Sequence, residues 1–211
     1  MNFTQYKTKE AFLRKYPIEN GRLDLSNKGI TDDDLKHIAE LLGNELSLKY
    51  LFLYNNKLTE IHPDTFKSLS SLKELKLGDN QLTEIHPDTF EGLRNLEWLD
   101  LADNQLTTIH PDTFKSLSSL EWLYLSCNKI SYIHPDTFKS LSSLKYLFLD
   151  NNKLTEIHPD TFKGLRTLEW LNLADNKLTQ LHKSIREMLP DCFIYTGDNI
   201  EWVDDMVEEK V

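Results

Sequence analysis

Six histidines stand in line in this sequence: His62, His86, His110, His134, His158 and His182 recur every 24 residues. Five of them are followed two positions later by an aspartate, from Asp64 to Asp160. Imidazole and carboxylate both bind divalent metals. A metal centre needs three or four donors converging on one point, whereas identical units place theirs in a row about 5 Å apart. No metal and no cofactor is expected, and each histidine reads as a turn residue copied with its unit. Cys127 and Cys192 are the two thiols. They should lie about three strands apart, roughly 14 Å, where a disulfide tolerates at most about 7 Å between Cα atoms. The pair is expected to stay reduced, and Cys127 has no histidine of its own unit beside it. There is no G-x-S-x-G, no glycine-rich phosphate loop, no H-E-x-x-H and no C-x-x-C. No catalytic residue is assigned, and the chain is not expected to be an enzyme.

The elements that carry these residues follow from self-comparison. IHPDTFKSLSSL occurs at 61–72, 109–120 and 133–144, with close variants from Ile85 and Ile157. Residues 47–69 and 143–165 differ only at Tyr54/Asp150 and Ser68/Gly164. The 24-step register holds from Leu48 to Asp191. Within each unit the L-x-L stretch has period two, so it is a short strand with leucine inward. Stacking the units pairs these strands in parallel and lines up Leu51, Leu75, Leu99, Leu123, Leu147 and Leu171 as a core column. Asn56, Asn80, Asn104, Asn128, Asn152 and Asn176 close the strands, where an inward amide can both donate to and accept from loop backbone. The Phe66 to Phe162 column packs the far side. Proline after each histidine but the last restricts that side to turns and short helical pieces.

The pattern L-x-x-L-x-L-x-x-N-x-L followed by I-H-P-D-T-F-x-x-L resembles the leucine-rich-repeat family in its 24-residue class. The resemblance implies an α/β repeat solenoid: a right-handed, curved horseshoe with a parallel concave sheet and turns or short helices on the convex side. Six full units match, with looser flanks. In the first, Leu23 and Leu25 keep the strand pattern and Lys28 replaces asparagine. In the last, Phe193 and Tyr195 are taken as the inward pair and Asp198 as the asparagine's stand-in. Residues 1–22 are read as an N-terminal helical cap, with a helix from Thr8 to Tyr16 halted by Pro17. Residues 23–191 are the repeats, the first longer and carrying a helix capped by Asp32 and stopped by Gly43. Residues 192–211 form the degenerate last strand and an acidic tail, after a helix over Lys183–Leu189. Family members secreted by vertebrates usually carry cysteine-rich caps. Their absence moves the resemblance towards bacterial, effector-like members.

Outward strand positions should form the concave face. The residue before the central leucine is Tyr50, Glu74, Trp98, Trp122, Tyr146 or Trp170. The residue after it is Phe52, Lys76, Asp100, Tyr124, Phe148 or Asn172, and the next outward one is Tyr54, Gly78, Ala102, Ser126, Asp150 or Ala174. Nine of these eighteen are aromatic in a chain that is 10% aromatic, so the face is enriched beyond composition. Rings on a rigid sheet are good interface anchors. We therefore expect a protein partner to contact Tyr50, Phe52, Tyr54, Trp98, Asp100, Trp122, Tyr124, Tyr146, Phe148 and Trp170. The competing account is that strands favour aromatics, which stabilise the ladder by stacking. Lys49, Lys73 and Lys76 cluster at the N-terminal end and acidic residues in the middle. A partner offering Arg or Lys to the middle and an acid to that end would be complementary.

The formal charge of −10 disfavours nucleic acid and anionic membranes as partners. A monomer is expected. The N-terminal stretch lacks the apolar core of a secretory signal, so the expected place is the cytosol of the producing cell, or a host cell after delivery. The leading function is protein binding, including that of a bacterial effector on a host protein. The alternatives are an engineered or self-associating scaffold, or the recognition part of a larger enzyme.

Overall fold

The computed structural model of the chain describes residues 3–197 and 200–204. Eight strands of three residues each form one parallel sheet. In chain order they are β1 (Arg22–Asp24), β2 (Tyr50–Phe52), β3 (Glu74–Lys76), β4 (Trp98–Asp100), β5 (Trp122–Tyr124), β6 (Tyr146–Phe148) and β7 (Trp170–Asn172), then, after β8 (Gln180–His182), β9 (Phe193–Tyr195). From β2 to β7 the pairing advances by 24 residues per strand, Leu51 opposite Leu75 opposite Leu99. Each central leucine of these strands is buried and its two neighbours are half-buried, as period-two geometry requires.

The asparagine column joins the units. Asn128 donates from Nδ2 to the carbonyls of Leu101 and Leu125, at 3.0 and 3.2 Å, and accepts at Oδ1 from Leu106 N–H at 3.0 Å. Asn80, Asn104 and Asn152 repeat this arrangement, each reaching back one unit. Asn56 serves the first unit, accepting from Lys28 and Ile30 N–H. The lysine at position 28 is therefore no defect, because no earlier unit needs an amide from it.

The far side is wider than the sheet. Phe90, Phe114, Phe138 and Phe162 stack with centroids 6.2–6.4 Å apart, against about 4.8 Å between strands. This difference bends the stack, with the sheet on the inner side of the arc. Each histidine has a definite part in the outer turns. His62 Nδ1 accepts from Asp64 N–H at 3.3 Å, and His86, His110, His134 and His158 do the same at 3.1–3.2 Å. Each ring nitrogen thereby caps the turn that follows it.

The two flanks of the repeats depart from expectation in three places. At the N-terminus, α1 (Lys9–Lys15) is capped by Thr8, and Phe3, Tyr6, Phe12 and Tyr16 form an aromatic cluster over the first unit. Helix α2 (Asp32–Leu42) is capped by Thr31 and not by Asp32. The Thr31 hydroxyl accepts from Asp34 N–H while the Asp34 carboxylate accepts from Thr31 N–H, a reciprocal capping box. Asp32 instead accepts from the N–H groups of Thr59 and Glu60 in the next unit. Gly43 ends α2 with φ +50°. Lys9 ties the cap down, donating to Leu42 O at 3.0 Å and pairing with Glu45 at 2.6 Å.

At the C-terminus the register differs from expectation by one residue. Ile194, not Phe193 or Tyr195, lies opposite Leu171, so the two rings point outward. Asp198 and the acidic tail beyond residue 204 lie outside the described residues. Helix α3 (Ser184–Met188) precedes β9. A second, two-stranded sheet pairs β8 with β10 (Glu201–Val203), which the repeat pattern did not suggest. Trp202 of β10 is covered by the Arg186 guanidinium at 3.9 Å. No described helix is long and apolar enough to cross a membrane.

Asn128→Ala strands two carbonyls and one N–H in the core, at about 1–3 kcal/mol per unpaired group before relaxation. The expected loss in urea denaturation is about 2–4 kcal/mol. A loss below about 1 kcal/mol would mean that the ladder does not hold the units together.

Candidate functional site

The outward residues assigned to partner contact fall into two rows fixed by strand register. In the first row Trp98 stacks on Trp122 at 4.8 Å and Trp122 on Tyr146 at 3.7 Å. In the second, Tyr124 stacks on Phe148 at 4.5 Å, and Trp98 closes the two rows by meeting Tyr124 at 5.1 Å. These five rings make one contiguous patch over β4, β5 and β6. All five are half-buried, each shielding the next, so the stacking account of the aromatics holds alongside their place on the inner face. Trp170 lies further on, tilted against Phe193 at 4.7 Å. Phe193 and Tyr195, 54% and 46% exposed, continue the face onto β9 and were missed because the one-residue slip had turned them inward.

The other three rings form a separate N-terminal group. Phe52 is held between two cations, Arg22 at 4.4 Å and Lys76 at 4.7 Å. Tyr50 and Phe52 border an open cleft of about 650 Å³ with Arg22 and Glu74. Tyr54 is 41% exposed, with its hydroxyl against Asp79.

Charges on the face are distributed differently from expectation. Of the three N-terminal lysines, Lys73 pairs with Glu97 at 2.6 Å and Lys76 with Glu74 at 3.1 Å. Arg22 pairs with Asp24, and Lys145 with Glu121. These pairs compensate charge along the face. Asp100 is the exception. Burial pushes its carboxyl up, with Asp103 and Glu74 adding to the effect, while Ala102 N–H and Lys76 oppose it. Burial, then the Asp100 charge, pushes the Tyr124 phenol up to about 12. Burial and Asp103 also raise the Cys127 thiol, which leaves it protonated and a poor nucleophile. Both cysteines are free. Among the described residues no three metal-binding side chains converge.

The face also carries local costs. The indole N–H groups of Trp98 and Trp170 are buried with no acceptor, and each such group costs about 1–3 kcal/mol. Seven residues that follow the strands have left-handed backbone: Asn27, Asn55, Asp79, Asp103, Cys127, Asn151 and Asp175, with φ of 50–59°. Asparagine and aspartate tolerate that region, and a cysteine does so less well.

A family model described as leucine rich repeat matches residues 47–106, 94–154 and 142–188. Among solved structures, the chain is similar to one in the crystal structure of a TLR13–ssRNA13 complex, with 28% identity and a TM-score of 0.73. That match covers 82% of this chain and 24% of the other. It is also similar to a leucine-rich-repeat protein of Leptospira interrogans, with 25% identity and a TM-score of 0.68, covering 90% of this chain and 57% of that one. The chain thus spans about a quarter and somewhat over half of these two relatives. No curated protein sequence matches it.

Two substitutions test the energetics of the face. Because the folded-state pKa of Asp100 is raised, its favourable contribution is complete below the ordinary aspartate range and is lost as pH rises through the folded value. Asp100→Asn should therefore be more stable than the wild type at pH 7, with the difference vanishing in acid. Urea midpoints at both pH values read this, and a less stable variant at pH 7 overturns it. Cys127→Asn should gain about 0.5–1 kcal/mol by relieving a left-handed cysteine; an unchanged or lowered midpoint contradicts the strain.

Proposed function

The chain belongs to the leucine rich repeat family, and from that premise we propose that it captures a protein partner on its concave face. The repeat fold is a general protein-interaction module, whose curved stack presents an extended inner surface. The observation that carries the proposal is the double row of five rings, Trp98, Trp122, Tyr146, Tyr124 and Phe148, joined on one rigid sheet. Aromatic anchors of fixed position offer large contact area at little cost in conformational entropy. Asp100, Trp170, Phe193 and Tyr195 extend the contact area, and Tyr50, Phe52 and Tyr54 form its N-terminal margin.

A protein suits this surface better than a nucleic acid does. The TLR13 chain is seen with single-stranded RNA, and phosphate backbones demand free Lys or Arg along the binding surface. Here Arg22, Lys73, Lys76 and Lys145 are already paired with carboxylates, and the formal charge is −10. Near-identical units and the likeness to the Leptospira protein support a finer reading as a bacterial effector acting on a host protein.

The test is affinity capture by the wild type beside Trp122→Ala/Tyr146→Ala. The double variant should lose partner capture. Its stability should fall by only about 0.5–1.5 kcal/mol per lost ring pair beyond burial, against about 2–5 kcal/mol for Leu123→Ala. Undiminished capture by the ring-deleted variant overturns the proposal. Sedimentation at several concentrations separates self-association, which a concentration-independent monomer removes.

A further inference from the structure

We propose that the cleft between the end of α1 and the outer strand β1 receives a carboxylate side chain of the partner protein. The proposal rests on the concave-face reading and names what the partner presents at the N-terminal end of that face. The sheet ends at β1, whose outward side chains are Arg22 and Asp24. A cleft of about 500 Å³ opens there, lined by Lys15 and Tyr16 from the end of α1 and by Glu19, Arg22, Asp24 and Lys28. Glu19, Arg22 and Asp24 also line the larger cleft bordered by Tyr50 and Phe52, so the two openings adjoin.

This lining carries three cations and two carboxylates, in a chain whose formal charge is −10. Arg22 is already engaged. Its Nη2 meets the Asp24 carboxylate at 2.7 Å, and its guanidinium lies 4.4 Å from the centre of the Phe52 ring. Asp24 is engaged too, accepting from Ser26 N–H at 3.0 Å. Lys15 and Lys28 have no such counterpart. Among the described residues, no carboxylate oxygen comes within 4.0 Å of either ammonium. Glu19 lines the cleft but reaches neither lysine. Its backbone is bonded to Arg22 in both directions at 2.9 Å, across the tight turn of Asn20 and Gly21, which fixes where it stands.

Backbone requirements do not explain the charge at position 28. Six asparagines, Asn56 to Asn176, hold the matching place in later units. With no earlier unit to serve, Lys28 keeps a backbone contact, its N–H donating to Asn56 Oδ1 at 3.1 Å. Any residue type supplies that N–H except proline. The half-buried lysine side chain therefore brings a charge to the cleft where a neutral one would serve.

A carboxylate suits this lining better than a phosphate dianion. One negative charge brings it to neutrality, whereas two overshoot beside Glu19 and Asp24. Ammonium groups on flexible stems, with three rotatable donors each, can converge on a single carboxylate. The adjoining rings of Tyr50 and Phe52 give the rest of a protein segment a surface to lie on.

The probe is the peptide acetyl-Gly-Glu-Gly-amide, titrated into the full chain while the backbone amide resonances of Arg22 and Lys28 are followed by NMR. Saturable shifts at both are expected, weakening as salt is added. The glutamine peptide, or Lys15→Gln/Lys28→Asn, should lower affinity about fivefold or more, since two exposed pairs are lost together. Asparagine holds the matching place in six units, so the variant keeps the fold, and its urea midpoint checks this. Resonances that never move overturn the cleft, as do shifts indifferent to glutamine or kept in the variant. Inorganic phosphate binding more tightly than the glutamate peptide overturns the carboxylate assignment. A failed cleft leaves the concave-face reading standing if Trp122→Ala/Tyr146→Ala loses capture. Capture undiminished in that variant sinks the reading, while glutamate shifts that persist keep the cleft.

Discussion

The inward asparagine amide is the interaction on which the remainder of the structure depends. A three-residue strand cannot satisfy the backbone of the loops on either side of it, and those loops are buried against the next unit. One side chain with two donors and an accepting oxygen closes the account for both units. It also fixes register, since Asn80 reaches Leu53 O and Leu58 N–H only if the units advance by one constant step. Strand pairing, leucine columns and phenylalanine stack then follow from that spacing.

Much of this was legible because period and residue type agree. Leucines two apart can only point the same way, and a 24-step repeat of them can only stack in phase. The flanks were less legible for the same reason. In Phe193-Ile194-Tyr195 every residue is apolar, so alternation carries no signal and the larger rings drew the assignment inward. The pairing of Ile194 with Leu171 decides otherwise. Thr31 and Asp32 are both good caps by type, and only the reciprocal bond with Asp34 separates them. Two of the ion pairs were hidden because they cross units: Lys73 and Glu97, like Lys145 and Glu121, are 24 residues apart, and nothing in local sequence says which way either side chain turns.

The inner face and the core obey different rules. In the core every column repeats with little change, since a cavity or an overlarge side chain would disturb neighbours on both sides. On the face, adjacent units differ in charge, size and ring content. It carries a partly desolvated carboxylate at Asp100, two indole N–H groups without acceptors and a left-handed cysteine, while the core carries unpartnered hydroxyls at Thr89, Thr113, Thr137 and Thr161.

Because each amide reaches back a single unit, no contact in the stack records how many units there are. The near identity of residues 47–69 and 143–165, four units apart, fits the copying of whole blocks. Arc length in this chain is thus an inheritable quantity separate from its chemistry. A lineage can lengthen or shorten the span by recombination between like segments, while point changes on the inner face retune what it grips.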